Sequence, residues 1–167
     1  MARAFIVPAA GTAHRPGARR EVTLAGPLDL AVSTTRLTAD DVVADVVLEG
    51  QGETLTVSGT VRARWTGECR RCLEPTGGEV AVRLSEVFEP HPVDGETYAL
   101  GRDEVDLEPA LREALALALP LAPLCSETCG GPDPEGHPVE VASEATPARR
   151  PADPRWHVLD ALRFEDG

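Results

Sequence analysis

ETLTVSGTVRARWTG, residues 53–67, alternates strictly. Leu55, Val57, Gly59, Val61, Ala63 and Trp65 fall on one side, and Thr54, Thr56, Ser58, Thr60, Arg62 and Arg64 on the other. A period of two marks a strand with one buried face. GEVAVRLSEVFEP, residues 78–90, repeats the pattern, with Val80, Val82 and Leu84 inward and Arg83 outward. The link between them, GECRRCLEPTGG at 67–78, reads as a hairpin connection longer than a tight turn.

Upstream, DDVVADVVLEG (40–50) reads as a buried strand. REVTLAGPLDLAV (20–32) is an extended segment broken at Gly26-Pro27. Downstream, nine acids and two arginines occupy residues 86–113, with HPVDGETYALGRDEVD (91–106) expected as an exposed loop. The period then changes. DLEPALREALALALP (106–120) sets Leu107, Leu111, Leu115 and Ala118 on one helical stripe. Asp106 or Glu108 begins the helix, Pro109 suits its first turn and Pro120 ends it. In DPRWHVLDALRF (153–164), Asp153 caps and Pro154 opens a second, short helix.

Strands first and helices after favour an α+β domain. The expected fold is a twisted antiparallel sheet or partly closed barrel, with one packed helix and a short C-terminal helix. Four regions follow. Residues 1–20 form a flexible basic arm in which AFIV (4–7) adds a short edge strand. Residues 21–129 form the α+β domain. Residues 130–152, rich in Pro, Gly and Glu, form a linker, and 153–167 the terminal helix.

The chain has 167 residues, enough to bury a core without staples. Only 4% are aromatic, so Val, Leu and Ala must build that core. There is no lysine; arginine carries the positive charge. A formal net charge of −12 argues against a generic binder of nucleic acid or acidic membrane. The charge is uneven: residues 1–20 carry Arg3, Arg15, Arg19 and Arg20 and no acid. The acidic remainder suits a basic partner such as a ribosomal protein. Closely spaced cysteine pairs without a secretory leader point to the reducing cytoplasm, and no stretch is long and apolar enough to span a membrane.

Cys69 and Cys72 sit two residues apart on the hairpin; Cys125 and Cys129 sit three apart just after the helix. Four thiolates make a closed tetrahedral zinc site, and both spacings lie in the range such sites use. A shared structural Zn2+ on Cys69, Cys72, Cys125 and Cys129 would need the fold to bring the pairs together. Two alternatives stand beside it. A thioredoxin-like redox pair would open a helix after a strand, which the hairpin does not. Two unrelated thiol pairs is the plain reading. His137 is the one histidine held as a spare ligand. No phosphate loop, nucleophile elbow or His-Glu-x-x-His run occurs. Arg62, Arg64 and Arg83 point outward on neighbouring strands, and Arg70 and Arg71 cap their connection. Together they make a candidate RNA or partner contact, since the guanidinium fork suits phosphate, although Glu68, Glu79 and Glu86 lie nearby.

CRRCLEP (69–75), VDLEPALREALALALPLAPLC (105–125), SETCGG (126–131) and DPRWHVLDAL (153–162), in that order, resemble the YceD family, also called large ribosomal RNA subunit accumulation protein. The resemblance runs from about residue 20 to the end. It implies a bacterial, cytoplasmic, non-enzymatic factor in synthesis, processing or accumulation of large-subunit rRNA. The implied partners are that rRNA or its precursor and a small basic protein of the large subunit. One departure matters. Many relatives continue after the second pair with a further Cys-x-x-Cys-Gly, where this chain has GGPDPEGHPVE (130–140). Cys125 and Cys129 must then complete a site with Cys69 and Cys72, or with His137. Two other functions compete: an acidic chaperone for one basic ribosomal protein without RNA contact, and a thiol-dependent redox protein.

Overall fold

The alternation at 55–65 becomes a strand because every second side chain finds a core. Leu55, Val57 and Val61 are fully buried and Ala63 nearly so. We analysed a computed structural model of the chain, which describes residues 4–137. In chain order its elements are β1 (Ile6–Pro8), β2 (Arg19–Gly26), β3 (Ala31–Val32), β4 (Thr35–Leu37), β5 (Val42–Gly50), β6 (Leu55–Glu68), β7 (Pro75–Glu89), β8 (Tyr98–Ala99), β9 (Glu104–Asp106) and α1 (Glu108–Ala118).

The main sheet has the order β2-β5-β6-β4-β3, and β7 lies on the other side of β6. All of these pairings are antiparallel; β8 adds to the end of β7 in parallel. β6 and β7 pair without a break from Leu55↔Phe88 to Glu68↔Pro75. The sheet does not close, so the architecture is an open α+β sheet with one helix among the described residues. The expected C-terminal helix lies outside the described residues.

α1 follows its sequence signals closely. Pro109 lies in its first turn, the backbone N–H of Glu108 donates to Asp106 Oδ1 (3.0 Å), and Pro120 follows its end. Ala110, Leu111 and Leu115 are buried, flanked by Leu107 and Leu119, so the apolar stripe lies against the sheet.

Two expectations change. Residues 4–20 are not a loose arm. AFIV does supply the edge strand, as β1, which pairs with β9. Phe5 and Val7 are buried before and within β1, Ala9 and Ala13 are buried in the turn after it, and the Arg15 N–H closes a turn onto the Thr12 carbonyl. The 91–106 loop contains β8 and β9, and Val105 is fully buried. Each is a strand too short to show a period.

Thr35 links the sheet to the chain beyond α1. Its buried hydroxyl donates to the Pro120 carbonyl at 2.7 Å. Thr35→Val keeps the shape and strands that acceptor, at a cost of about 1–3 kcal/mol. A lowered urea midpoint with unchanged slope is the expected result. An unchanged midpoint would show the carbonyl to be solvated.

Candidate metal centre

The β6–β7 hairpin narrows to a turn at 69–74. The Cys69 N–H donates to the Glu74 carbonyl (2.9 Å) and the Leu73 N–H to the Cys69 carbonyl (2.8 Å). Leu73 holds φ at 63°, a left-handed conformation that a branched side chain rarely adopts. The surrounding turn evidently enforces it.

The second half arrives from α1. Beyond Pro120, the Pro123 carbonyl accepts the Arg70 N–H at 2.9 Å, which registers this segment against the hairpin. The Cys129 N–H then donates to the Ser126 carbonyl (3.1 Å), curling the segment into a turn. Arg71 reaches across, its Nη1 donating to the carbonyls of Glu127 (2.9 Å) and Cys129 (3.0 Å). So the hairpin positions the second pair with its own backbone and with one arginine.

The four sulfurs lie within 4.8 Å of one another. Cys69 Sγ is 3.8 Å from Cys129 Sγ, and Cys72 Sγ is 3.7 Å from Cys125 Sγ. Zinc–thiolate bonds of about 2.3 Å in a tetrahedron set sulfurs about 3.8 Å apart. The donor set therefore fits a four-coordinate thiophilic ion, and all four cysteines are free. His137 lies outside the cluster. Cys69 is buried, Cys72 and Cys129 half-buried, and Cys125 exposed.

The electrostatics show what an ion would relieve. Backbone amides of Cys72, then Cys125, pull the Cys69 thiol down to about 6 against burial. Cys125 is pushed up to about 12, chiefly by Cys129 and then Cys69. One sulfur can ionise unaided, and its charge makes the next ionisation costly. A divalent cation removes that conflict.

The family described as "Large ribosomal RNA subunit accumulation protein YceD" matches residues 57–163. The chain belongs to the YceD family. It is also similar to curated proteins of mycobacteria. Uncharacterized proteins of Mycobacterium tuberculosis and Mycobacterium bovis are each 34% identical to it, over 95% of this chain and 81% of theirs. One of Mycobacterium leprae is 34% identical over 73% of this chain and 59% of its own. No solved structure matches.

In this YceD chain the candidate arginines do not form one free patch. Arg62 is ion-paired with Asp45 of β5, and Arg64 lies 3.4 Å from Glu79 of β7. Arg71 is turned onto the second cysteine turn. Arg70 and Arg83 have no ion pair among the described residues.

An acidic cavity beside α1 is a feature that reading the sequence missed. Its lining includes Glu86, Asp94, Glu96, Glu113, Tyr98 and Leu117, around a volume of about 460 Å³. Burial, and then the Glu113 carboxylate, push the Glu86 carboxyl above its ordinary range. Tyr98 donates to Glu113 at 2.7 Å, and burial and that bond raise its phenol. A signal was present: Glu86 interrupts the apolar phase Val80, Val82, Leu84, Phe88. No helix among the described residues is long and apolar enough to cross a membrane.

Proposed function

We propose that this YceD protein is a non-enzymatic, cytoplasmic factor in large ribosomal subunit biogenesis, and that Cys69, Cys72, Cys125 and Cys129 hold a structural Zn2+. The family match over residues 57–163 carries the functional reading. The sulfur spacing supports the ion. With four protein ligands the ion has no open position for substrate, so its work is to staple the hairpin to the segment after α1.

The contact we favour is with a basic protein of the large subunit. A net charge of −12 and the cavity lined by four acids suit a cationic partner. Arg62, Arg64 and Arg71 are already engaged within the chain. RNA contact through the set Arg62, Arg64, Arg70, Arg71 and Arg83 would therefore lean on Arg70 and Arg83. A redox role is disfavoured because Cys69, whose thiol is held below its ordinary range, is fully buried, and a nucleophilic thiol needs access.

Sedimentation of a cell extract at low salt tests this reading. The protein is expected to comigrate with large-subunit precursors and to cross-link there to a basic ribosomal protein. Migration only as free protein would overturn the assignment. Cross-links confined to rRNA would replace the protein partner with RNA.

A further inference from the structure

We propose that the outer edge of β7 pairs with the same edge of a second copy of this chain, antiparallel and centred on Ala81.

β7 is paired with β6 from Pro75 to Phe88, but among the described residues the one strand paired on its other edge is β8, at Phe88 and Glu89. Among the described residues, positions 75–87 have no partner on that side. Two hydrogen bonds fix which backbone groups point there. The Glu74 carbonyl accepts from Cys69, next to β6, and the Glu89 carbonyl accepts from Leu100, next to β8. Backbone groups alternate along a strand. Even-numbered residues therefore face β6, and Gly77, Glu79, Ala81, Arg83, Ser85 and Val87 offer N–H and C=O to the free edge. Pro75 falls in the same phase, so its missing N–H lies on the unpaired side, where proline is tolerated. An exposed edge of this length is a template for another strand.

Three features make a second copy the fitting occupant. First, the free window 75–87 has Ala81 at its midpoint, so a two-fold axis there uses the whole edge and stops where β8 begins. Second, Ala81 faces the edge, as the central residue of a hydrogen-bonded antiparallel pair must. Third, the charges match. With the axis at Ala81, Glu79, which also lies 3.4 Å from Arg64 of its own chain, falls opposite Arg83 of the second copy, and the pair occurs twice. An axis at Glu79 or at Arg83 would set like charges face to face. An axis at Val80 or Val82 would leave both charges opposite neutral residues. The same register puts Val80 opposite Val82 on the face that carries the core. Both valines are only half-buried in the single chain. The pairing would close about ten backbone hydrogen bonds and leave no free β7 edge for further growth.

Light scattering on the full chain after size exclusion tests this. The expected mass is twice 17.7 kDa. R83E sets two acids opposite each other at both charge pairs, and E79R sets two cations there. Each variant alone is expected at 17.7 kDa. An equimolar mixture of the two restores unlike pairs at both positions and is expected to recover the doubled mass. A wild-type protein that stays at 17.7 kDa at every concentration overturns the proposal. So does retention of the doubled mass by both variants. Slow amide exchange at Glu79, Ala81 and Arg83 in a particle of single-chain mass would mean that the chain covers this edge itself, which also overturns it.

Discussion

Cys69→Ser and Cys125→Ser, made separately, are each expected to strip one equivalent of zinc from the purified protein. The two residues belong to different turns, 56 positions apart, yet their sulfurs belong to one cluster. Removing any vertex of a tetrahedral thiolate site leaves three ligands and a water in place of a closed shell. Zinc-finger peptides draw roughly 10–16 kcal/mol of apparent folding energy from their ion. This domain has a core of its own, so only part of that should appear as lost stability. A loss of about 3–4 kcal/mol lowers the melting temperature by roughly 10 °C for a chain of this size. Chelation should reproduce the shift in the parent and do nothing further to the variants. Acidification acts in the same direction, since protons compete with the ion for the same sulfurs. Zinc retained in Cys125→Ser, or no zinc in the parent, would remove the shared site.

Phe88→Ala should be the most damaging single change in the sheet. Phe88 is fully buried near the end of β7, and its ring centroid lies 5.3 Å from that of Tyr98 on β8. Truncating a buried phenylalanine costs about 3–5 kcal/mol, and the aromatic pair adds about 0.5–1.5. Against a total stability of roughly 5–15 kcal/mol this leaves little reserve. The neighbouring position is the control. Val87 points to the opposite face and is 36% exposed, so Val87→Ala should cost less than about 1 kcal/mol. Chemical denaturation of both variants checks the difference. Equal losses would mean that the β6–β7 register is shifted by one residue, which would turn every side chain of β7 over.

The two expectations that carried furthest came from residues with a strong local period. Leu55, Val57, Val61 and Ala63 announce a half-buried strand because water on one face and core on the other leave an alternating trace. Leu107, Leu111 and Leu115 do the same for α1. The cysteine spacings singled out four residues whose sulfurs the fold brings within 4.8 Å of one another. Their convergence depended on Arg70 and Pro123 meeting across the fold, and no local pattern reports that. The packing of residues 4–20 was hidden for a similar reason. Ala9 and Ala13 are too small to stand out, and they are buried partly because Gly50, far along the chain, lets the Thr12 backbone approach. The partners of Arg62 and Arg64 were equally non-local: Asp45 and Glu79 come from the strands on either side of β6.

The pairing of β1 with β9 bears on how the protein is made. Ile6 is aligned with Asp106, so β1 must wait for about a hundred further residues to be made before its partner strand exists. Val7, buried in the finished fold and aligned with Val105, has no strand to lie against during that interval. Docking of β1 is thus a step that cannot precede the synthesis of β9.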